Sequence, residues 1–389
     1  MKARKILGTF LKWLIVPGAA KVPPLLWLLI IGLLVVRAYG EEPTPPLTGA
    51  AERIVVVTAT PAPPLVSATP VMPGPSPVAG GTLAFSMRHA GNSDIYLLTQ
   101  ESGQLLRLTH DPGDDRDPAW SPDGRFLAFA SRRGGGWDLY TMEMTSGTVL
   151  RVTRTQVFKA GPSWSPDGRW LAYESYRDGN LDLYVLDVQS GEEQRVTHDP
   201  EPDYSPAWSP DGRHIAFTSY RDQNQDLYVL SLDDASVTNL TRTPNQNEDY
   251  AAWSPTGEFL AYSAGVRGGE TIWRIPFDTE AAARGELRPL LFGVGGMPTW
   301  SPDGQSLAFV YRQEATTYLI AADTRGWGLT QEGFSSSDTM GRPHWYGGRI
   351  DPGLEAHLAE GSETDATTAT SQLYTELLMA ADADVYDLI

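Results

Sequence analysis

A tryptophan recurs six times along this chain, at intervals of 44 to 47 residues. The six positions are Trp120, Trp164, Trp208, Trp253, Trp300 and Trp345. Each of the first five is followed by a Ser-Pro-x-Gly turn and then by a short apolar segment of the Leu-Ala-Phe type. Self-similarity at a period of about 40 to 50 residues, with room for four short strands, predicts the blades of a β-propeller.

Each period contains the parts of a four-stranded antiparallel blade. In Ser121-Pro122-Asp123-Gly124, proline presets the first central turn residue and glycine accepts the left-handed position, so we expect a tight hairpin. A third strand carries Asp-x-Tyr, as in Asp138-Leu139-Tyr140, and a Gly-containing turn leads to a fourth that closes at a step such as Val196-Thr197. The pattern predicts an all-β fold.

The phase of the repeats predicts how many blades there are and how the ring closes. Six apolar strands of the Leu-Ala-Phe type are present, starting at Leu83-Ala84-Phe85, and six tryptophan strands. The last tryptophan strand, at residues 342–345, has no blade after it. We therefore predict a six-bladed ring in which this C-terminal inner strand joins the N-terminal blade, because closure removes the open sheet edges that invite aggregation.

The motifs Trp-Ser-Pro-Asp-Gly, Leu-Ala-Phe and Asp-Leu-Tyr resemble the TolB-type β-propeller repeat, over roughly residues 81 to 346. The resemblance implies a six-bladed propeller of the kind found in bacterial extracytoplasmic proteins. TolB itself carries an additional α/β domain before its propeller, and we expect no such domain here. Propellers host many unrelated activities, so the resemblance by itself assigns no function.

The N-terminal residues 1–40 predict a signal anchor or signal peptide. Lysines and an arginine precede an uncharged apolar run over residues 22–36, and the acidic pair Glu41-Glu42 follows it. This asymmetry predicts a cytoplasmic N-terminus and an extracytoplasmic propeller. The run lies between the lengths typical of a signal-peptide core and of a spanning helix. We favour an uncleaved single-pass anchor with its transmembrane segment at about residues 22–38; cleavage near Gly40, giving a secreted protein, is the alternative.

The segments on either side of the predicted propeller, residues 81–348, differ from it in composition. Residues 41–80 are rich in proline and predict an extended extracytoplasmic linker. Residues 349–389 are acidic and predict a mostly disordered tail, with a short helix at about residues 371–381. A solvated tail is the simpler interpretation, and a docking peptide for a partner is the alternative.

Charge and motif content exclude several classes of protein. The formal net charge is −18, and four of the five lysines precede residue 22, so a nucleic-acid partner is not expected. The chain has no cysteine, which excludes disulfides and a lipid-modified cysteine anchor. The sequence also lacks a nucleophile elbow, a His-Glu-x-x-His helix and a phosphate-binding loop. We therefore predict no catalytic residues, no cofactor and a monomeric propeller.

Candidate binding residues lie at equal distances before the six tryptophans. Such residues are expected to form a ring at one mouth of the central channel, where carboxylates could bind a basic group and a lysine or arginine an acidic one. The predicted site comprises Asp115, Asp117, Lys159, Asp203, Tyr204, Glu248, Tyr250 and Arg342. The alternative is that these are ordinary solvated loop residues. The six tryptophans themselves are interpreted as structural.

Two functional classes follow from this pattern. The preferred one is a membrane-tethered, non-enzymatic module that binds a protein or peptide partner of unknown identity. The alternative is a carbohydrate-active or other hydrolase or lyase, which would need two of Asp115, Asp203 and Glu248 about 5 to 10 Å apart in a deep pocket. A calcium ion near Asp114, Asp115 and Asp117 is a further alternative, although the spacing lacks an EF-hand loop.

Overall fold

The computed structural model describes residues 80–349, except residues 101, 154, 156, 267–268 and 325–333. The predicted anchor, almost all of the linker, and the acidic tail with its short helix lie outside the described residues. Within the described part, no helix has the length and apolar character needed to cross a membrane.

Six antiparallel sheets, numbered here as blades 1 to 6, make up the described residues. Blade 1 begins with β1 (Thr82–His89), β2 (Asn92–Thr99) and β3 (Leu105–Arg107). Blade 2 contains β4 (Asp115–Trp120), β5 (Phe126–Ser131), β6 (Asp138–Glu143) and β7 (Val149–Arg151). Blade 3 contains β8 (Lys159–Trp164), β9 (Trp170–Arg177), β10 (Asn180–Asp187) and β11 (Glu193–Arg195).

The second half of the ring repeats this order. Blade 4 contains β12 (Asp203–Trp208), β13 (His214–Ser219), β14 (Asp226–Ser231) and β15 (Val237–Asn239). Blade 5 contains β16 (Asn247–Trp253), β17 (Phe259–Val266), β18 (Gly269–Pro276), the short helix α1 (Thr279–Ala283) and β19 (Leu290–Val294). Blade 6 contains β20 (Gly296–Trp300), β21 (Ser306–Gln313), β22 (Thr316–Asp323) and β23 (Phe334–Ser336). The chain then returns to blade 1 as β24 (Thr339–Met340) and β25 (His344–Tyr346).

The ring closes as the sequence predicts. Strand β25 pairs antiparallel with β1, with Leu83 opposite Trp345 and Ala84 opposite His344. The innermost strand of each blade contacts that of the next, and β25 contacts both β4 and β20. The six-bladed, all-β architecture and its closure by the C-terminal inner strand are therefore confirmed.

The Ser-Pro-x-Gly segments form the hairpins expected of them. In the first, the Ser121 hydroxyl donates to Asp123 Oδ1 at 2.6 Å and accepts from the Phe126 N–H at 2.9 Å. Gly124 has φ 70°, in the left-handed region that glycine adopts without a steric penalty. The same hydroxyl-to-carboxylate bond recurs at Ser165 and Ser301, so the repeated sequence encodes a repeated turn.

Three of the six repeated tryptophans join neighbouring blades through an indole hydrogen bond. The indole N–H of Trp164 donates to the Ala119 carbonyl of the preceding blade at 3.0 Å. Trp253 and Trp300 make the same bond to the carbonyls of Ala207 and Ala252. Apolar side chains of adjacent sheets fill the space between blades, and a buried indole that also makes a hydrogen bond is well suited to that position.

Candidate functional site

The four charged residues five positions before a tryptophan lie between blades and not at an exposed channel mouth. They are Asp115, Lys159, Asp203 and Glu248, and all four are fully buried. Because the flat face of each sheet packs against the next blade, side chains that stand perpendicular to the sheet enter the space between blades. We call each of these spaces a blade junction.

Each of these side chains has partners inside its junction. Asp115 accepts from Arg133 at 2.8 Å, and Asp203 accepts from Arg221 with both oxygens at 2.8 Å. Burial raises the pKa of both carboxyls, and hydroxyl and arginine donors oppose that rise. The Lys159 ammonium donates to Asp138 at 2.8 Å, and burial lowers its pKa. The Lys159–Asp138 pair joins blades 2 and 3, and none of these groups is displayed to solvent.

In blades 2 to 6 the residue three positions before the tryptophan behaves differently, because it lies in a bulge of its inner strand. Asp117, Tyr250 and Ser205 have φ values of 55°, 54° and 52°, and the strand register shifts at each of these places. A bulge adds an unpaired residue and redirects its side chain out of the sheet. The repeated bulge therefore redirects one side chain per inner strand away from the blade junction.

Arg342 and Tyr250, both predicted from the sequence, meet at the centre of the ring. The Arg342 guanidinium lies 6.0 Å from the centroid of the Tyr250 ring and donates to the Ala251 carbonyl at 3.2 Å. Arg342 lies two residues before β25, the closing strand of blade 1, whereas Tyr250 and Ala251 belong to blade 5. Blade 6 lies between blades 5 and 1 in the ring. A contact between residues of blades 5 and 1 therefore lies close to the ring axis.

Two further carboxyls, which the sequence pattern did not predict, lie beside this pair. Glu174 Oε2 accepts from the Ser205 N–H at 2.8 Å. Asp249 Oδ1 accepts from the Thr218 hydroxyl at 3.1 Å and from the Tyr250 N–H at 2.6 Å. Burial raises the pKa of Glu174 to about 7 and also raises the pKa of Asp249.

Asp117, Glu174, Asp249, Tyr250 and Arg342 together form what we call the axial cluster. Their charges act on one another: Asp117 and Asp249 add to the rise in the Glu174 pKa, and the nearby carboxylates add to the burial that raises the Tyr250 pKa. The five residues come from blades 1, 2, 3 and 5. Side chains from so many blades come within range of one another only near the axis, so the ring itself assembles this site.

Arg116 and exposed aromatic rings border the axial cluster at the channel mouth where the inner strands begin. The Arg116 guanidinium lies 3.2 Å from Asp117 and 4.1 Å from the centroid of Trp137. Tyr204, a predicted site residue, lies with its ring centroid 6.2 Å from that of Tyr220 and receives a hydrogen bond from Gln225. Tyr176 and Tyr220 are 52% and 38% exposed, so this mouth combines charge with accessible aromatic surface.

The position of Glu174 in the repeat is the signal that could have identified it. The residue follows the aromatic of the Leu-Ala-Phe strand, and this position is otherwise filled by Ser86, Ala130, Thr218, Ser263 and Val310. Glu174 is the one charged member of that set. Alignment of the repeats on their second strands, in addition to their tryptophans, would have selected it.

The aspartates considered for a calcium ion have separate partners. Asp114 accepts from the Ser93 N–H at 3.0 Å, Asp115 pairs with Arg133, and Asp117 lies against Arg116. Within the described residues, no group of three or more His, Asp or Glu side chains is arranged to hold a metal ion.

A family profile described as the TolB beta propeller domain matches residues 65–161 and 154–345. The two matches together span well over half of the chain. A sequence search of curated proteins found no significant relative.

Several solved structures share the fold. TolB from Acinetobacter baumannii is 21% identical, with a TM-score of 0.61, over 68% of this chain and 66% of that one, slightly less than two thirds of its length. A chain of a nidogen/laminin complex is 12% identical, with a TM-score of 0.55, over 68% of this chain and 98% of that one. Kuenenia stuttgartiensis hydrazine synthase is 14% identical, with a TM-score of 0.56, over 69% of this chain and 46% of that one. At such identities the likeness concerns the fold alone.

Proposed function

The chain belongs to the TolB β-propeller family, and from that premise we propose that it is a non-enzymatic module whose axial cluster binds a basic group of a protein or peptide partner. The observation that supports the proposal most strongly is the convergence of Asp117, Glu174 and Asp249 from three different blades. A concave site with a few convergent polar groups is the usual setting for a ligand.

The protonation of Glu174 suits it to bind a cation. With a pKa of about 7, its carboxyl is partly neutral at neutral pH when no ligand is present. A lysine ammonium or an N-terminal amine placed beside it favours the charged form, and a charge-assisted hydrogen bond then forms between the two. Arg342 and Arg116 offset the negative charge of the free site and can bind an acidic group of the same partner.

The aromatic residues at the mouth supply the apolar part of the proposed contact. Tyr176 and Tyr220 are exposed on neighbouring blades, and Trp137 lies beneath the Arg116 guanidinium. Aromatic and arginine side chains are enriched in the centres of protein interfaces. We propose that a partner segment enters with its basic group on the axis and its apolar residues against these rings.

We further propose that the propeller is tethered to the cell membrane as a monomer and lies outside the cytoplasm. The support is sequence pattern: the charge asymmetry around residues 22–38 and the proline-rich residues 41–80 that would act as a spacer. Protease protection of the full chain in intact cells tests this arrangement. Release of a soluble form that begins near residue 41 would instead support the alternative, cleavage near Gly40.

The carboxylates considered for an enzyme do not support that alternative. Asp115, Asp203 and Glu248 lie in three different blade junctions, and each is fully buried with its own hydrogen-bond partners. A substrate bound in the channel has no access to a pair of them. We therefore base the proposed function on binding.

The binding proposal is tested with two peptides that differ only in charge. Full-length protein is titrated calorimetrically with a short peptide that has a free N-terminal lysine and with its acetylated, norleucine-containing counterpart. We expect the basic peptide to bind and Glu174→Gln to weaken it at least tenfold. The matched control is Glu258→Gln, since Glu258 is exposed beside a hairpin turn at the opposite end of an inner strand. Equal binding of both peptides, or no effect of Glu174→Gln, would contradict the proposal.

A further inference from the structure

The blade junctions follow a common charge pattern, seen most simply between blades 1 and 2. Asp94 of the Asp-x-Tyr motif pairs with Arg107 at 2.7 Å, and Asp115 of the next inner strand pairs with Arg133 at 2.8 Å. The two carboxylates are buried, and two arginines offset them. The junction between blades 3 and 4 repeats the arrangement with the pairs Asp182–Arg195 and Asp203–Arg221.

Between blades 2 and 3 a lysine replaces the second carboxylate. Lys159 is fully buried, and its ammonium donates to Asp138 Oδ1 at 2.8 Å and to the carbonyls of Thr155 and Val157 at 2.8 and 3.2 Å. Arg151 also pairs with Asp138. The junction thus holds a cation within a shell of oxygen atoms, beside the aspartate of the Asp-x-Tyr motif.

Among the described residues, the junction between blades 4 and 5 shows neither of these positive charges. Asp226 and Glu248 are buried there in the same two repeat positions. Asn239 stands where the other three junctions have an arginine on the fourth strand, and Val266 stands in the sequence where Arg133 and Arg221 stand in their blades. Among the described residues, no lysine, arginine or histidine pairs with either carboxyl. Two ionised carboxylates without a positive partner are costly to bury.

One hydroxyl at this junction, that of Tyr262, has no hydrogen-bond partner. Glu248 accepts from the hydroxyls of Thr241, at 3.1 Å, and Thr243. Tyr262 is fully buried, its hydroxyl makes no hydrogen bond, and the charges of Glu248 and Asp226 both add to the burial that raises its pKa. The equivalent hydroxyl in blade 3, that of Tyr173, receives a hydrogen bond from Arg177 at 3.1 Å. Val266 takes the place of Arg177 in this blade. The Tyr262 hydroxyl therefore lies beside two carboxyls and receives no hydrogen bond.

We propose that a calcium ion binds at the junction between blades 4 and 5, held by the carboxylates of Asp226 and Glu248 and by the Tyr262 hydroxyl. Its two charges replace those that two arginines supply at the neighbouring junctions. Calcium prefers hard oxygen ligands such as carboxylates, hydroxyls and carbonyls, and this junction supplies them. The proposed site corresponds to the position of the Lys159 ammonium two junctions earlier. The same place in the repeat would then hold a lysine side chain in one junction and a bound calcium ion in the other.

The test compares full-length wild-type protein with two variants at pH 8.5, after calcium has been removed with a chelator. We expect added calcium chloride to raise the wild-type Tm by several degrees and to bind with one-to-one stoichiometry in calorimetry, since a ligand that binds only the folded state stabilises it. Glu248→Gln should weaken calcium binding at least tenfold. Glu248→Lys should restore the arrangement of Lys159 and Asp138, and its Tm should not respond to calcium.

Asp114→Asn is the matched control, because Asp114 belongs to the calcium position considered from the sequence. It should keep the full calcium response. The proposal is overturned if calcium leaves the wild-type Tm unchanged and, in addition, the Tm falls from pH 7 to pH 9 in the wild type but not in Glu248→Gln. Those two results together would mean that a proton alone neutralises the junction. It is also overturned if Glu248→Lys keeps the calcium response or Asp114→Asn loses it. Calcium stoichiometry on the wild-type protein decides the matter even if a variant fails to fold.

Discussion

Arg342 and Tyr250 meet across the ring, with the guanidinium 6.0 Å from the phenol ring, although 91 residues separate Arg342 from its hydrogen-bond partner Ala251 beside that tyrosine. The contact depends on closure, because Arg342 reaches the axis only when β25 is paired with β1. The same pairing that completes blade 1 therefore completes the axial cluster.

Replacement of Arg342 tests that contact. Arg342→Met removes a positive charge beside Tyr250 and leaves the Ala251 carbonyl without its donor, so we expect a loss of about 1–3 kcal/mol in the free energy of unfolding. Urea denaturation measures it. Arg284→Met is the control: that exposed side chain pairs with two exposed glutamates, and its loss should cost no more than about 0.5 kcal/mol. Equal effects of the two variants would contradict the account.

Glu174 gives the protein a pH-dependent stability. Its pKa rises from the ordinary glutamate value of 4.5 to about 7 in the folded chain, so the folded state binds a proton more tightly than the unfolded state. The stabilisation is complete below about pH 4.5 and is lost as pH rises through about 7, by roughly 3 kcal/mol.

The measurement is the free energy of unfolding at pH 5 and at pH 8 for the wild type and for Glu174→Gln. The difference between the two proteins should change across that interval, because only the wild type loses a proton at this position. Glu193→Gln is a suitable control, as Glu193 lies on a fourth strand and is paired with Arg177. A wild type and a Glu174→Gln variant with parallel pH profiles would argue against a raised pKa.

The repeated tryptophans should contribute strongly to stability. Trp164→Ala removes a buried indole and its 3.0 Å hydrogen bond to Ala119, and we expect a loss of about 3–5 kcal/mol from the cavity. Trp137→Ala is the comparison, since Trp137 is half-buried at the channel mouth and should cost less than half as much. Thermal unfolding of both variants decides whether position in the repeat controls the effect.

Two truncations test ring closure. A chain that ends after Gly341 lacks β25 and leaves β1 with an open edge, so we expect it to lose cooperative unfolding or to aggregate. A chain that ends after Arg349 keeps that strand and should unfold cooperatively, with a Tm close to that of the full chain. Circular dichroism melts and light scattering distinguish these results, and normal folding of the shorter chain would rule out the closure mechanism.

The sequence predicts the ring far better than it predicts the site. The tryptophan period, the Ser-Pro-x-Gly turns and the offset of residues 342–345 are local signals, and the structure confirms the six blades and the closure that they imply. The direction of a side chain is not a local signal. Asp115 and Asp117 are two residues apart, yet Asp115 enters a blade junction and Asp117 belongs to the axial cluster. The reason is a bulge in the strand between Asp115 and Trp120.

One residue of the axial cluster and one blade junction stand out only through relations between repeats. Glu174 stands out only when the second strands of all blades are aligned, because its strand follows the same pattern as the others up to Tyr173. The pair of Asp226 and Glu248 stands out only when each junction is compared with the others, since Asn239 and Val266, which take the places of the two arginines, lie far apart in the sequence.

We propose that the ring brings Glu174 to the axis with a pKa that suits it to bind a basic group. An NMR titration of the Glu174 side-chain carboxyl in the full-length protein, without and with the lysine-terminated peptide, measures this directly. We expect a pKa of about 7 in the free protein and a clear fall when the peptide binds. A pKa near 4.5 that the peptide does not change would contradict it.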